Sequence, residues 1–267
     1  MAVQPEGAPC WADATFSDLE GAKNFYGDVL GWTFAQASAE YGDYTQAYAD
    51  GKAVAAVVPP PMPGQPEAPS QWCLYFAARD TDATAARIRD NGGEVLMEPM
   101  QVGDFGTMCL ARDPSGVVFG VWQAGTHEGF EVMAEPGAYT WAEVFTREPE
   151  KSDAFFPAVF SYRQRDMEDH EMDFRIYDLG ERSVLGRMKM TEEFPPEVPP
   201  YINVYFTVED CDDAVAKAAK LGGVLRFGPM TTPFGRFAAI SDPQGANFSV
   251  IDITTTEGDM PKLTDVS

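Results

Sequence analysis

An acidic residue lies two positions after a tryptophan at two places in the chain, each time inside a short apolar segment. Residues 11–16 read WADATF and residues 141–146 read WAEVFT, which gives Asp13 and Glu143 matching positions. A carboxyl group in an apolar strand is hard to ionise, so its pKa rises. Such a group suits general acid–base chemistry near neutral pH. A structural role, in which the carboxyl anchors the backbone of a neighbouring loop, is equally compatible with the sequence.

Side chains alternate between the two faces of a strand, and this assigns each acid to a face. In the first segment Trp11, Asp13 and Thr15 share one face, while the small apolar residues between them can pack on a helix. The second segment repeats this arrangement with Trp141, Glu143 and Phe145.

Both segments belong to an internal duplication with an offset of about 130 residues. After a deletion of one residue, DPSGVVF at 113–119 corresponds to DPQGANF at 242–248. Paired glycines and a tyrosine–phenylalanine pair also recur at this offset. A repeat of this length predicts two homologous domains, residues 1–130 and 131–267.

Each half reads as two units with the order strand, helix, three strands. The first helix begins after Ser17 or Asp18, carries apolar residues at helical spacing and ends at Gly31. Proline-rich connectors at 59–69 and 195–200 separate the two units of each half. Four repeats of this order predict an α+β fold with short, mostly antiparallel sheets.

The motif W-x-[DE]-x-x-x-x-D-L-E-x-A-x-x-F-Y-x-x-V-L-G-W at 11–32, together with D-P-x-G-x-x-F, resembles the vicinal oxygen chelate superfamily. That superfamily includes glyoxalase I, extradiol dioxygenases, fosfomycin-resistance enzymes and bleomycin-resistance proteins. The tandem form looks most like actinobacterial two-domain glyoxalase-like proteins. The resemblance covers nearly the whole chain, and it implies four βαβββ units in two domains. Each domain would form a curved sheet whose concave face, or cup, holds the ligand.

The resemblance also implies where metal-dependent members carry their ligands, a histidine or glutamine and a glutamate on particular strands. In the first domain these positions hold Trp11, Cys73 and Gly120. A catalytic metal needs about three imidazole or carboxylate ligands. The two histidines, His127 and His170, lie in apparent connectors, so we expect no metal. The second domain holds Trp141, Asn203 and Ser249 at the same positions.

Counting from these positions predicts the lining of both cups. Each cup pairs one acid with one tyrosine, and the candidate catalytic residues are therefore Asp13, Tyr75, Glu143 and Tyr205. Gly120 and Cys73 are expected to make the first cup roomier, whereas the second is more polar. Aromatic walls suit a flat, apolar or aromatic ligand, although the tryptophans and tyrosines could simply be packing. The candidate ligand-binding residues are Trp11, Thr15, Cys73 and Trp122 in the first cup, and Trp141, Phe145, Asn203, Asn247 and Ser249 in the second.

Composition limits the partners and the compartment. The formal charge is −23, from 42 acidic and 19 basic residues, which argues against nucleic acid and anionic membrane surfaces. No apolar stretch is long enough to span a membrane, and the N-terminus does not read as a secretory signal. Four scattered cysteines fit a cytoplasmic protein. No phosphate-binding glycine motif occurs, so we expect no cofactor.

Three functions remain open. The chain could be a metal-independent enzyme of isomerase, lyase or hydroxylase type, acting by acid–base chemistry on a small aromatic or apolar metabolite, with natural-product metabolism as one setting. It could instead bind and sequester a drug-like natural product without catalysis. A metal enzyme with unusual oxygen ligands is the least favoured. In each case the partner is a small molecule, and the chain is a monomeric pseudo-dimer or a homodimer.

Overall fold

The order strand, helix, three strands recurs four times in the computed structural model, which confirms the α+β class predicted from the sequence. The structure describes residues 4–37, 42–60, 70–168 and 172–266. Within those ranges no helix is long and apolar enough to cross a membrane.

The first half of the chain forms an eight-stranded sheet with the order β2-β3-β4-β1-β5-β8-β7-β6. At its centre β1 and β5 are antiparallel neighbours, and each also pairs in parallel with the last strand of its own unit, β4 or β8. The strands are β1 (Pro9–Thr15), β2 (Thr33–Phe34), β3 (Thr45–Ala49), β4 (Lys52–Val58), β5 (Trp72–Ala77), β6 (Glu94–Val102), β7 (Gly106–Arg112) and β8 (Val118–Ala124).

The second half forms a nine-stranded sheet with the order β14-β15-β16-β13-β9-β12-β11-β10-β17. Its first eight positions repeat the topology of the first sheet in reverse, and β17 adds a strand beside β10 that the sequence analysis did not predict. The strands are β9 (Tyr139–Thr146), β10 (Arg163–Met167), β11 (Phe174–Leu179), β12 (Arg182–Lys189), β13 (Tyr201–Thr207), β14 (Val224–Thr232), β15 (Gly235–Ser241), β16 (Asn247–Asp252) and β17 (Leu263–Asp265).

Each unit contributes one helix after its first strand, and local sequence fixes where the helix begins and ends. Asp18 caps the first helix by accepting a hydrogen bond from the backbone N–H of Gly21 at 2.9 Å. Gly31 ends it in the left-handed region, with φ of 72°. The helices are α1 (Leu19–Leu30), α2 (Thr81–Asp90), α3 (Pro149–Phe160) and α4 (Cys211–Lys220).

The helices of the two halves pack on each other between the sheets, α1 against α4 and α2 against α3. Aromatic rings of one half contact aromatic rings of the other half in this layer. Phe25 and Tyr26 of α1 contact Phe248 of β16, with ring centroids 6.1 and 5.3 Å away. Phe156 of α3 contacts Phe119 of β8 at 5.5 Å. A single hydrophobic core therefore includes residues from both halves.

The aspartates of the two D-P-x-G turns fasten the halves together. Asp242 accepts a hydrogen bond from the hydroxyl of Tyr26 at 2.9 Å, and Asp113 accepts one from the hydroxyl of Ser152 at 2.5 Å. Both aspartates also accept backbone N–H groups of their own turns. Each D-P-x-G motif therefore ties its sheet to a helix of the other half.

The second sheet is strongly curled, as the chain after β16 shows. The backbone N–H of Glu257 donates to the carbonyl of Thr232, at the end of β14, and the carbonyl of Lys262 accepts from Glu168 N–H, beside the end of β10. Five residue steps span at most about 18 Å. In a flat sheet the seven strand spacings from β14 to β10 would measure about 34 Å. Because α3 and α4 cover the inner face, the sheet curls around its outer face. We call residues 257–262 the strap.

We expect truncation of Phe156 to destabilise both halves together. Phe156→Ala should lower the free energy of unfolding by about 3–5 kcal/mol, because it opens a cavity under both sheets. Urea unfolding followed by tryptophan fluorescence and circular dichroism should show one coincident transition. The matched control is Phe234→Ala, in a turn where Phe234 is 46% exposed, and it should change the stability little. Two separate transitions in the wild type would contradict the shared core.

Candidate functional site

The two predicted acids lie on the outer faces of the central strands, away from the helices. On β1, Ala12 and Ala14 are fully buried under the helices, whereas Asp13 and Thr15 are only partly buried. On β9 the same alternation leaves Glu143 on the outer face. The first and second cups are thus the outer surfaces around Asp13 and Glu143.

In the first cup two tyrosines enclose the acid. One oxygen of the Asp13 carboxyl accepts from the Tyr75 hydroxyl at 3.4 Å and the other from the Tyr44 hydroxyl at 3.5 Å. The indole Nε1–H of Trp11 donates to the same Tyr44 hydroxyl at 2.6 Å. Burial raises the pKa of Asp13 to about 7, although both tyrosine hydrogen bonds act in the opposite direction.

The first cup is filled by its own side chains. A Cβ atom added to Gly120 would collide with the ring of Tyr75, so the space that the glycine leaves open is already occupied. Trp11 is only 3% exposed, because the rings of His127 and Phe130 lie 4.4 and 5.6 Å from it. The expectation that Gly120 makes this cup the roomier one is therefore wrong.

In the second cup a tyrosine and a tryptophan hold the acid. The Glu143 carboxyl accepts from the Tyr205 hydroxyl at 2.8 Å and from the Trp141 indole N–H at 3.3 Å. Burial raises the pKa of Glu143 to about 7, and these two hydrogen bonds oppose the rise. On the neighbouring strands the Asn203 amide donates to the Ser249 hydroxyl at 2.8 Å. This acid therefore titrates near neutral pH beside a hydroxyl donor.

Aromatic rings flank Glu143 on both sides. On one side Phe145 stacks on Tyr201, with centroids 5.1 Å apart and planes inclined by 7°. On the other, Tyr205, Phe237 and Phe227 form a row with centroid separations of 6.0 and 5.9 Å. Phe227, at the outer end of this row, is 52% exposed. The second cup thus offers flat apolar surfaces that run from the acid to solvent.

The other predicted ligand-binding residues have different surroundings. Cys73 lies directly opposite Asp13 on β5, and burial raises its pKa well above the ordinary thiol value. Trp122 belongs to the first cup, where its indole N–H donates to the carbonyl of His127 at 2.9 Å. Asn247 lies on the same face as Ser249, but its side-chain carbonyl accepts from the hydroxyl of Ser241 instead of contacting Glu143.

Three residues near the acids were not among the sequence candidates: Tyr44, Phe174 and His127. Tyr44 immediately precedes β3 and Phe174 begins β11, whereas strand alternation was applied only to the first and last strands of each unit. They occupy matching places 130 residues apart, which the duplication could have revealed. His127 was assigned to a connector, and the connector folds against Trp11. His170 lies outside the described residues.

The side chains at the two acids do not fit a divalent metal. In the described part of the chain no three His, Cys, Asp or Glu side chains are grouped so that they could hold one. The first cup offers one carboxyl and one thiol with a raised pKa, and the second offers one carboxyl with an amide and a hydroxyl. Transition metals in proteins prefer imidazole, thiolate and several carboxylates, and neither set meets that need.

Comparisons with known proteins agree with this fold. Residues 11–121 match the family model described as Glyoxalase/Bleomycin resistance protein/Dioxygenase superfamily. "Putative glyoxylase CFP32" of Mycobacterium tuberculosis is 39% identical over 251 residues, which are 92% of this chain and 95% of the relative. The chain belongs to the glyoxalase/bleomycin resistance protein/dioxygenase superfamily.

Another relative is named for anthracycline biosynthesis. "Anthracycline biosynthesis protein DnrV" of Streptomyces peucetius is 36% identical over 259 residues, covering 92% of this chain and 94% of the relative.

Solved structures of the superfamily share the fold at low sequence identity. The Mn(II)-bound glyoxalase from Novosphingobium aromaticivorans has a TM-score of 0.63 and 17% identity, covering 94% of this chain and 86% of its own. The 2,3-dioxygenase LapB from Pseudomonas sp. KL28 has a TM-score of 0.65 and 14% identity, covering 96% and 94%. At these identities the likeness establishes the fold alone.

The raised pKa of Glu143 predicts a pH dependence of stability. Between about pH 4.5 and 7 the folded protein binds more protons at Glu143 than the unfolded chain does, so stability falls as pH rises through this window and levels off above it. Glu143→Gln removes this contribution.

The free energy of unfolding can be measured with urea at pH 5 and at pH 8. Between these two pH values it should fall more for the wild type than for Glu143→Gln, by on the order of 2 kcal/mol. Glu192→Gln, at an exposed glutamate of the same half, is the matched control and should follow the wild-type profile. Parallel pH profiles for the wild type and Glu143→Gln would show that Glu143 has an ordinary pKa.

Proposed function

We propose that this superfamily member acts on a small, flat aromatic metabolite in the second cup, by acid–base chemistry that requires no metal. The observation that carries the proposal is the Glu143 carboxyl, with a pKa raised to about 7, hydrogen-bonded to Tyr205 and flanked by aromatic rings. A group that titrates near the working pH can both accept and return a proton.

Glu143 is proposed as the proton-transfer group. In its ionised form it accepts a proton from a ligand carbon or hydroxyl next to a carbonyl, and in its protonated form it returns that proton at a second position. The Tyr205 hydroxyl, 2.8 Å from the carboxyl, can turn its hydrogen bond toward a ligand oxygen on which negative charge develops. Proton abstraction followed by reprotonation is an isomerisation, and loss of a neighbouring group would make it a lyase reaction.

Metal independence is proposed from the chemistry of the side chains. The positions that hold ligands in metal-dependent relatives carry Trp141, Asn203 and Ser249, and the amide and hydroxyl of the last two bond to each other. Neutral amide and hydroxyl groups are weak ligands for transition metals. The work of polarising the substrate is therefore proposed for Tyr205 and Trp141.

The class of substrate is proposed from the aromatic walls and from one relative. Aromatic rings on both sides of Glu143, stacked in the Phe145–Tyr201 pair and tilted in the Tyr205–Phe237 pair, favour a planar ligand. A relative named for anthracycline biosynthesis supports a polycyclic aromatic natural product and a place in secondary metabolism. We further propose a cytoplasmic protein whose halves, residues 1–130 and 131–267, are homologous domains in a pseudo-dimeric monomer.

Sequestration of an aromatic natural product without turnover is the second candidate. The observation that favours it is the first cup, where the same acid–tyrosine pair occurs in a cup already filled by protein side chains. An acid–tyrosine pair can therefore persist in this fold without a substrate to convert. Under this candidate the ligand is recovered unchanged and both acids serve only as hydrogen-bond acceptors.

Replacing Glu143 should separate the two candidates. Anthracyclines and hydroxyanthraquinones incubated with the protein are followed by mass spectrometry for conversion and by tryptophan fluorescence for binding. Glu143→Gln should reduce conversion about 100-fold or more while changing affinity only a few-fold, because the amide keeps the size but cannot accept a proton.

Two further variants serve as comparisons in that experiment. Glu192→Gln should convert ligand at the wild-type rate, and Asp13→Asn should lower conversion far less than Glu143→Gln does. Unimpaired conversion by Glu143→Gln would rule this residue out as the proton-transfer group. Tight binding with complete recovery of every ligand tested would favour sequestration.

Removal of metal is expected to leave the activity intact. Dialysis against EDTA should change neither ligand binding nor conversion, since no step depends on a metal ion. Metal analysis of the purified protein should find less than a tenth of an equivalent, as an order of magnitude, of manganese, iron, nickel or zinc. Loss of conversion on dialysis that added Mn(II) or Fe(II) restores would contradict metal independence.

A further inference from the structure

The strands around the acid pair in the same way in the two cups, but one ring beside the acid differs. In the first cup, Asp13 of β1 pairs with Ala56 of β4, which pairs with Gln46 of β3. In the second cup, Glu143 of β9 pairs with Gly186 of β12, which pairs with Ile176 of β11. Tyr44 precedes Gln46 of β3 by two residues, and Phe174 precedes Ile176 of β11 by two, so the two rings lie at equivalent places on the outer faces of their sheets. Tyr44 and Phe174 are therefore structural equivalents.

Both rings reach the acid of their cup. The hydroxyl of Tyr44 lies 3.5 Å from a carboxyl oxygen of Asp13. A Cβ atom added to Gly186 would lie 2.6 Å from Cζ of Phe174 and 2.9 Å from Cγ of Glu143, so the tip of the phenyl ring lies beside Glu143. Phenylalanine has no hydroxyl, and one oxygen present in the first cup is therefore missing in the second.

That oxygen has two partners in the first cup. It accepts a hydrogen bond from the Trp11 indole N–H at 2.6 Å and donates to the Asp13 carboxyl. In the second cup the equivalent indole, Trp141, instead makes a hydrogen bond of 3.3 Å directly to Glu143. A bond of this length is weak, and the indole N–H can donate instead to a better-placed acceptor.

The two cups also differ in what covers the indole ring of the tryptophan. In the first cup His127 and Phe130 pack on Trp11, which is almost fully buried. Trp141 is only partly buried, and within the described ranges no aromatic ring packs on it. The first cup thus contains, from the protein itself, an aromatic cover and a hydroxyl that the second cup lacks.

We infer that the side chains filling the first cup occupy the places that a ligand occupies in the second cup. The ligand is an aromatic compound with a hydroxyl group; its ring covers Trp141, and its hydroxyl oxygen accepts from the Trp141 indole N–H and donates to the Glu143 carboxyl. This inference rests on the proposal that the second cup is the ligand site, and it adds a phenol-type hydroxyl as the recognised group. Phe174 keeps the oxygen position free, whereas Tyr44 closes it in the first cup.

The probe that tests this is 2-naphthol, with naphthalene as the matched ring without the hydroxyl. The chain has five tryptophans, so the indole N–H signals of ¹⁵N-labelled protein can be assigned by single substitutions. 2-Naphthol should shift the Trp141 signal saturably and leave the Trp11 signal in place. Naphthalene should bind about tenfold more weakly, because it makes neither hydrogen bond.

Phe174→Tyr is the decisive variant, because it installs in the second cup the hydroxyl that the first cup already has. Its Trp141 signal should move in the absence of any ligand, and its affinity for 2-naphthol should fall about tenfold or more. Tyr44→Phe is the matched control in the first cup; it should move the Trp11 signal and leave 2-naphthol affinity within about twofold. Trp141→Phe, read by 2-naphthol fluorescence, should also weaken binding of the phenol more than that of naphthalene.

Several results would overturn the inference: no saturable shift of Trp141, an equal shift of Trp11, equal affinities for the two probes, or an unchanged 2-naphthol affinity in Phe174→Tyr. Failure of the proposed function is distinguishable from these. If 2-naphthol binds as described but Glu143→Gln converts ligands normally, the acid–base role fails and the hydroxyl site stands. If Glu143→Gln abolishes conversion but both probes bind alike, the reverse holds.

Discussion

One layer of four helices serves both sheets, and the rest of the structure depends on that sharing. Each sheet has an apolar inner face on which helices of the other half also pack: Phe156 packs under the first sheet and Phe25 under the second. The buried hydrogen bonds of Asp113 and Asp242 fix the same contact. With both inner faces committed to this layer, the outer faces are the surfaces left for a ligand.

The sequence was sufficient for the architecture, because duplication, capping residues and strand alternation are local or periodic features. The four units, and the start of α1 after Asp18 and its end at Gly31, could all be found in that way. The site was less accessible. Alternation gives the face on which Asp13 lies, but it does not give which side chains of distant segments contact it. Tyr44 contacts Asp13 from more than 30 positions away in the sequence. The strap and β17 follow from pairing between remote segments, which periodicity does not encode.

The two cups show how a duplicated fold can diverge without changing its frame. The acid, the tyrosine on the next strand and the tryptophan two residues before the acid recur in both. What differs lies around them, a connector that folds over Trp11 and a hydroxyl on Tyr44 that Phe174 lacks. The side chains of the protein itself thus cover Trp11 in one cup, whereas Trp141 in the other is only partly buried.

The strap also sets the width of the second cup. It ties the edge beside β14 to the edge beside β10 through a fixed number of residues, so the mouth between those edges can widen only if a tie breaks or the chain lengthens. An inserted or deleted residue between Glu257 and Lys262 would alter the separation of those edges, and would leave Glu143, Tyr205 and Trp141 untouched. For the ligand proposed for the second cup, size and chemistry would therefore be separable traits, the first set by the length of the strap and the second by the side chains around Glu143.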